Sequence, residues 1–174
     1  MLDENRVEAI RAGAAKNVAT DTYMEGIMAG FIGAIILAAW FFVLDTVSGQ
    51  PLYTPSALGT ALFRPEKALA APSDVAISWE MTAMYTWVHV LLFIVFGGIA
   101  SRLLLYAESN PTFGFGILLL FVFFEFGFVV AAFLFARSVL GLLAWPAVLV
   151  GNLLAAGGMV TYLWFRHRNL TIFP

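Results

Sequence analysis

The sequence contains no cysteine. Disulfides, thiolate-ligated metals and iron–sulfur clusters are therefore excluded. Charge is scarce as well: Asp, Glu, Lys and Arg make up 11% of the 174 residues, against about 25% in a soluble domain. So few charges could not cover a globular surface in water. The formal net charge of −2 leaves no basic surface for nucleic acid. Histidine is limited to His89 and His167. His167 belongs to a terminal Arg166-His167-Arg168 cluster suited to lipid phosphates, at a depth unlike that of His89, which disfavours a bis-histidine haem. No nucleophile–base–acid triad, glycine-rich phosphate loop or carboxylate pair on one helix is present. The sequence therefore gives no reason to expect an enzyme.

What is abundant is apolar surface: 61% of the residues are hydrophobic and the mean hydropathy is +0.90. A helix needs roughly 20 apolar residues to cross the hydrocarbon. Four stretches satisfy this, at about 26–44, 79–106, 112–136 and 142–165. The expected fold is all-α, an integral membrane bundle of four transmembrane helices running up and down. Short turns at 107–111 and 138–141 force antiparallel neighbours. Segment one is not read as a cleaved signal peptide, because its flank is long and acidic and no small-residue cleavage site directly follows.

Residues 1–22 form a polar tail, in which Val7, Ile10, Ala14 and Val18 share one face at helical spacing. The membrane domain is taken as 23–174. An outer connection at 45–78 carries Gly49, Pro51, Pro55, Gly59, Pro65 and Pro72. Within it, Thr54-Pro55 reads as an N-cap and first helical residue. A short interfacial helix over 56–63 would follow. Lys and Arg set orientation. Arg6, Arg11, Lys16, Arg102, Arg166 and Arg168 fall on one side, and Arg64, Lys67 and Arg137 on the other. Both termini are accordingly expected in the cytoplasm. Trp79, Tyr85, Trp145, Tyr162 and Trp164 lie near segment ends, as interfacial aromatics do.

Three patterns are candidates for function. Small residues recur every fourth position as Gly26, Gly30, Ala34 and Ala38 on segment one, and as Ala147, Gly151 and Ala155 on segment four. In lipid such ridges let helix backbones approach closely, within the bundle or against another subunit. Polar side chains at membrane depth form the second pattern: Glu125, His89 and Asn152. A charged group at a helix centre costs about 2.5–3.5 kcal/mol on insertion scales, so Glu125 must face a partner, with His89 and Asn152 as candidates. The trio reads either as hydrogen-bonded glue between helices or as a proton or ion site. The third pattern is a polar stripe of Thr82, Tyr85 and Thr86 leading to His89, continued by Phe93 and Gly97. It reads as an entry path or as an ordinary interface-to-core transition. His89 is also a metal candidate: it could hold a haem iron or a chlorophyll magnesium, with Gly97 and Gly98 leaving room for a flat ring.

The stretches AAWFFVLDTVSGQPLYTPSALGTALF, YTWVHVLLF, LFVFFEFGF and GNLLAAGGMVTYLWFRHR resemble a family of short bacterial integral membrane proteins with four helices. The resemblance implies a four-helix membrane fold with a proline-containing outer connection, and the expected location is a bacterial inner membrane. It brings no activity, cofactor or catalytic residue, and it does not extend to the polar tail.

These features point first to a non-catalytic accessory subunit of a larger membrane complex, respiratory or photosynthetic. Other membrane subunits and lipids would be its partners, with no cofactor beyond lipid. A small proton- or ion-coupled transporter using Glu125, His89 and Asn152 is the second reading. A carrier of one haem or chlorophyll on His89 is the third.

Overall fold

The computed structural model describes residues 4–66, 76–109 and 145–166, with side chains at 20–66, 76–106 and 146–166. Among these residues the chain is all-helical: α1 is Glu4–Val47, α2 Tyr53–Phe63, α3 Trp79–Ser109 and α4 Trp145–Arg166. Three of the four are long and apolar enough to cross a membrane, over Thr20–Val47, Trp79–Tyr106 and Pro146–Arg166. At 1.5 Å per residue the two 28-residue spans measure about 42 Å. That exceeds the ~30 Å hydrocarbon thickness and is long enough for a crossing helix to extend into the headgroups. Segment three (112–136), Glu125 included, lies outside the described residues, as does His167.

Helix α1 begins at Glu4 and runs unbroken through the polar tail into the first span. The first proline in the chain is Pro51, so nothing earlier removes a backbone donor. A Schellman motif stops the helix. Gly49, at φ 76, is left-handed; its N–H donates to the Thr46 carbonyl and that of Gln50 to the Asp45 carbonyl.

Helix α2 begins at Tyr53, earlier than the Thr54-Pro55 pair suggests, and Thr54 is not its N-cap. The capping oxygens come from α1. The Asp45 carboxylate accepts the Thr54 N–H at 2.8 Å and the Thr54 hydroxyl at 2.6 Å. The Tyr53 N–H donates to Gln50 O and that of Ser56 to Leu52 O, while Pro55 has no N–H to satisfy. Every donor of the first turn is thus accounted for. The turn is tight enough to hold Leu52 at φ 68, a left-handed conformation costly for a residue with a Cβ.

Helix α2 lies across the start of α3. A Cβ added at Gly59 would sit 2.9 Å from the Met81 carbonyl carbon, so the two backbones touch. Ser56 is fully buried. Its hydroxyl accepts the Ser78 N–H at 3.1 Å and bonds the Thr82 hydroxyl at 2.8 Å. An exposed Arg64–Glu80 ion pair at 3.0 Å closes the outer edge. Helix α3 itself does not end at the expected 107–111 turn but continues to Ser109.

Helix α1 is the central strut. Both α3 and α4 pack on it and run antiparallel to it, with little contact between them. Thr22, Tyr23 and Glu25 of α1 therefore share one end of the array with Ser101 and Arg102 of α3 and Arg166 of α4. Trp40 meets the start of α4 at the other end, where its indole N–H donates to the Ala147 carbonyl at 2.8 Å.

Candidate functional site

The sequence features converge on the seam between α1 and α3. Thr22, Gly26, Gly30 and Ala34 on α1 face Ser101, Gly97, Phe93 and His89 on α3, pair by pair in antiparallel order. Both sets repeat every fourth residue, so each forms one ridge along its helix. A Cβ on Gly26 would lie 2.6 Å from Gly98 Cα, and one on Gly30 would lie 2.7 Å from Ile94 Cα. Only glycine permits that approach, and the gain is dispersion between backbones, the force that associates helices in lipid. Ala29 and Ala34 are buried at 0% and 2% exposure. Ala38, the fourth member of the expected ridge, is exposed; the close packing ends at Ala34.

The ridge on α4 is also in use. A Cβ on Gly151 would meet Leu37 Cδ1 at 2.6 Å and Trp40 Cδ1 at 2.7 Å, and Ala155 is buried. Gly33 of α1 is reached from both sides, by Met159 of α4 and Phe93 of α3.

His89 is half-buried in the seam. Its Nε2 lies 3.2 Å from the Ala34 carbonyl oxygen. A carbonyl only accepts, so Nε2 carries the proton. The ring lies between Tyr85 and Phe93, at centroid distances of 5.8 and 4.8 Å. Ligation of a haem or chlorophyll through Nε2 would require giving up the bond to α1. Nor does Gly97 leave room for a flat ring. A Cβ there would stand 2.6 Å from Gly30 N, so helix α1 fills the space. Of the two, Gly98 opens onto free volume.

The polar stripe leading to His89 is spent on local bonds. Thr82 is buried and tied to Ser56 of α2, which lies over the top of the stripe. Thr86 is exposed and donates to its own helix at Thr82 O. Tyr85 is half-buried beside His89. Asn152 is half-buried on α4, the helix that meets α1 through Gly33, Ile36, Leu37 and Trp40. Among the described residues, no three His, Asp or Glu side chains gather at one point, and no buried side-chain N or O lacks a partner.

Several contacts at one end of the array join α1 to α3 and to α4 through residues outside the three candidate patterns. The Ser101 hydroxyl donates to Thr22 O at 2.9 Å. Arg102 bonds the Tyr23 hydroxyl and lies 4.5 Å from the centre of its ring. Arg166 pairs with Glu25 at 3.0 Å. Extending the four-residue period one step past Gly26 and Gly97 reaches Thr22 and Ser101. The Asp45–Thr54 link has no such signal, because it joins two helices across a turn.

No protein-family model matches the chain, and neither a curated protein nor a solved structure is significantly similar to it.

Proposed function

We propose that this chain is a non-catalytic subunit of a larger membrane assembly, with four spans and both termini in the cytoplasm of a bacterial inner membrane. The observation that supports this most is how the polar groups of the spans are used. His89, Thr86, Ser101, Trp40 and Thr161 all bond to helix carbonyls. Such bonds fasten helices to one another or curl back on their own helix. They tie the described spans to one another and to their own helices, while only 28%, 11% and 22% of the three hydrophobic windows are buried inside the chain. Outward faces of this size suit lipid and neighbouring subunits.

Two further observations support the finer topology. Helices α3 and α4 both run antiparallel to α1 and so parallel to each other. The chain thus leaves α3 at one end of the array and enters α4 at the other, and the apolar stretch 112–136 in between has the length for one more crossing. Arg102 and Arg166 share one end of the array with the start of the first span, as the excess of Lys and Arg on the cytoplasmic side requires.

The test is to extract the native membrane in mild detergent and separate the complexes by native electrophoresis. The chain is expected to migrate with other polypeptides, well above its own 19.0 kDa. Migration as a monomer alone would count against the reading.

A further inference from the structure

Beside the α1–α3 seam lies an open groove of about 540 Å³. Its walls are Ile27 of α1 and Ile94, Val95, Ile99 and Leu103 of α3, and Gly98 forms its floor. Tyr23 and Arg102 stand at one end. The α4 contacts on α1 at Glu25, Ile32, Gly33, Ile36, Leu37 and Trp40 involve none of the groove-lining residues.

We infer that the groove holds one acyl chain of a phospholipid with a net negative headgroup, its phosphate bound by Arg102. Length supports this. From Val95 to Leu103 the groove runs eight residues along α3, about 12 Å, close to the ~15 Å of one leaflet of hydrocarbon. Shape supports it too: the missing side chain of Gly98 opens a furrow for a polymethylene chain. Charge complementarity favours an anionic headgroup over a zwitterionic one. Arg102 is exposed, and among the described residues its partners are the hydroxyl and ring of Tyr23, with no carboxylate. Tyr23 orients the guanidinium without neutralising it. The remaining N–H donors form the planar fork that matches a phosphate. The inference rests on the membrane location of α1 and α3 and is independent of the subunit reading.

The absence of cysteine makes the test clean. A single cysteine at Val95, which is 57% exposed, carries a fluorophore in the full-length chain. The chain is reconstituted in vesicles of phosphatidylcholine containing brominated lipid of one headgroup. Brominated phosphatidylglycerol is expected to quench at a mole fraction about fivefold lower than brominated phosphatidylcholine, as one basic residue at a membrane surface dictates. R102Q should abolish that preference, whereas R102K, which keeps the charge, should retain most of it. G98L should reduce quenching by both lipids. A fluorophore at Leu154 on α4 should show no preference.

Equal quenching by the two lipids in the wild type, or an unchanged preference in R102Q, would overturn the proposal. So would the absence of quenching together with cross-linking from position 95 to a cysteine within 112–136, which would mean that the chain itself covers the groove. Should R102Q fail to fold, the contrast of R102K and G98L with the wild type still decides.

Discussion

Gly97 of α3 sits so close to Gly30 of α1 that a Cβ on Gly97 would lie 2.6 Å from the Gly30 backbone nitrogen. Real Cβ atoms do not approach backbone that closely. The two helices are therefore spaced by glycine, and the other contacts of the seam follow from that spacing. Ala34 O comes within reach of His89, and Thr22 O within reach of Ser101.

The first prediction contrasts two glycines. Gly30→Ala puts a methyl group against the backbone of Phe93 and Ile94, where only movement of a whole helix relieves it. Stability should fall by about 1–3 kcal/mol, the usual cost of overpacking. Gly157, by contrast, has nothing within 4 Å of an added Cβ. Gly157→Ala should be neutral or stabilising by up to about 1 kcal/mol through reduced backbone entropy. Unfolding by SDS titration, followed by helical circular dichroism, reads both. Equal effects at the two positions would contradict the packing described.

The start of α2 depends on a carboxylate from another helix. Asp45→Ala strands the Thr54 N–H and removes the partner of the Thr54 hydroxyl. A cost of about 1–2 kcal/mol is expected, comparable to loss of a strong N-cap. The loss should be local, with faster amide hydrogen exchange at Thr54 and Ser56 and little change in α4. Thr54→Val should cost less, and in the double variant the two losses should not add, since they remove one shared interaction.

His89 offers a separable pair of contacts. His89→Phe keeps an aromatic ring between Tyr85 and Phe93 but loses the bond to Ala34 O. A loss of about 1 kcal/mol follows if that bond is an ordinary one. His89→Leu should lose more, since the ring contacts go as well. The same purified protein is expected to show no Soret band and no visible pigment absorption. A Soret band that vanished in His89→Phe would restore the haem-carrier reading.

Glu125→Gln separates glue from proton handling. As a structural group, Glu125 should tolerate a near-isosteric amide with a loss of about 1 kcal/mol, and the native complex should keep its size. A variant that folds and assembles fully yet abolishes a proton-dependent activity of that complex would favour the transporter reading.

Much of the fold is legible in the sequence because the signals are local. Hydrophobic length marks the three helices long and apolar enough to span a membrane to within a few residues at most ends. Gly49 with Pro51 marks the stop after the first. Other boundaries depend on partners that local pattern does not contain. Thr54-Pro55 has the composition of a helix start, yet α2 begins one residue before Thr54 because Asp45, nine residues upstream, supplies the oxygens. The AESNP stretch has the composition of a turn, yet its first residues complete α3.

The site shows the same division. The sequence by itself determined that the chain has helices long and apolar enough to cross a membrane, that one face of the first is lined with small residues, and that His89 lies within one of those apolar stretches. Those properties follow from hydropathy and from a four-residue period, which are features of single helices. The tertiary structure alone decided that Gly26, Gly30 and Ala34 face the ridge of Gly97, Phe93 and His89, that Ala38 stands outside it, and that His89 is bonded to a backbone carbonyl. Which ridge meets which groove depends on the relative rotation and register of two helices. That choice is set by the summed close contacts of both surfaces, and no segment carries it alone.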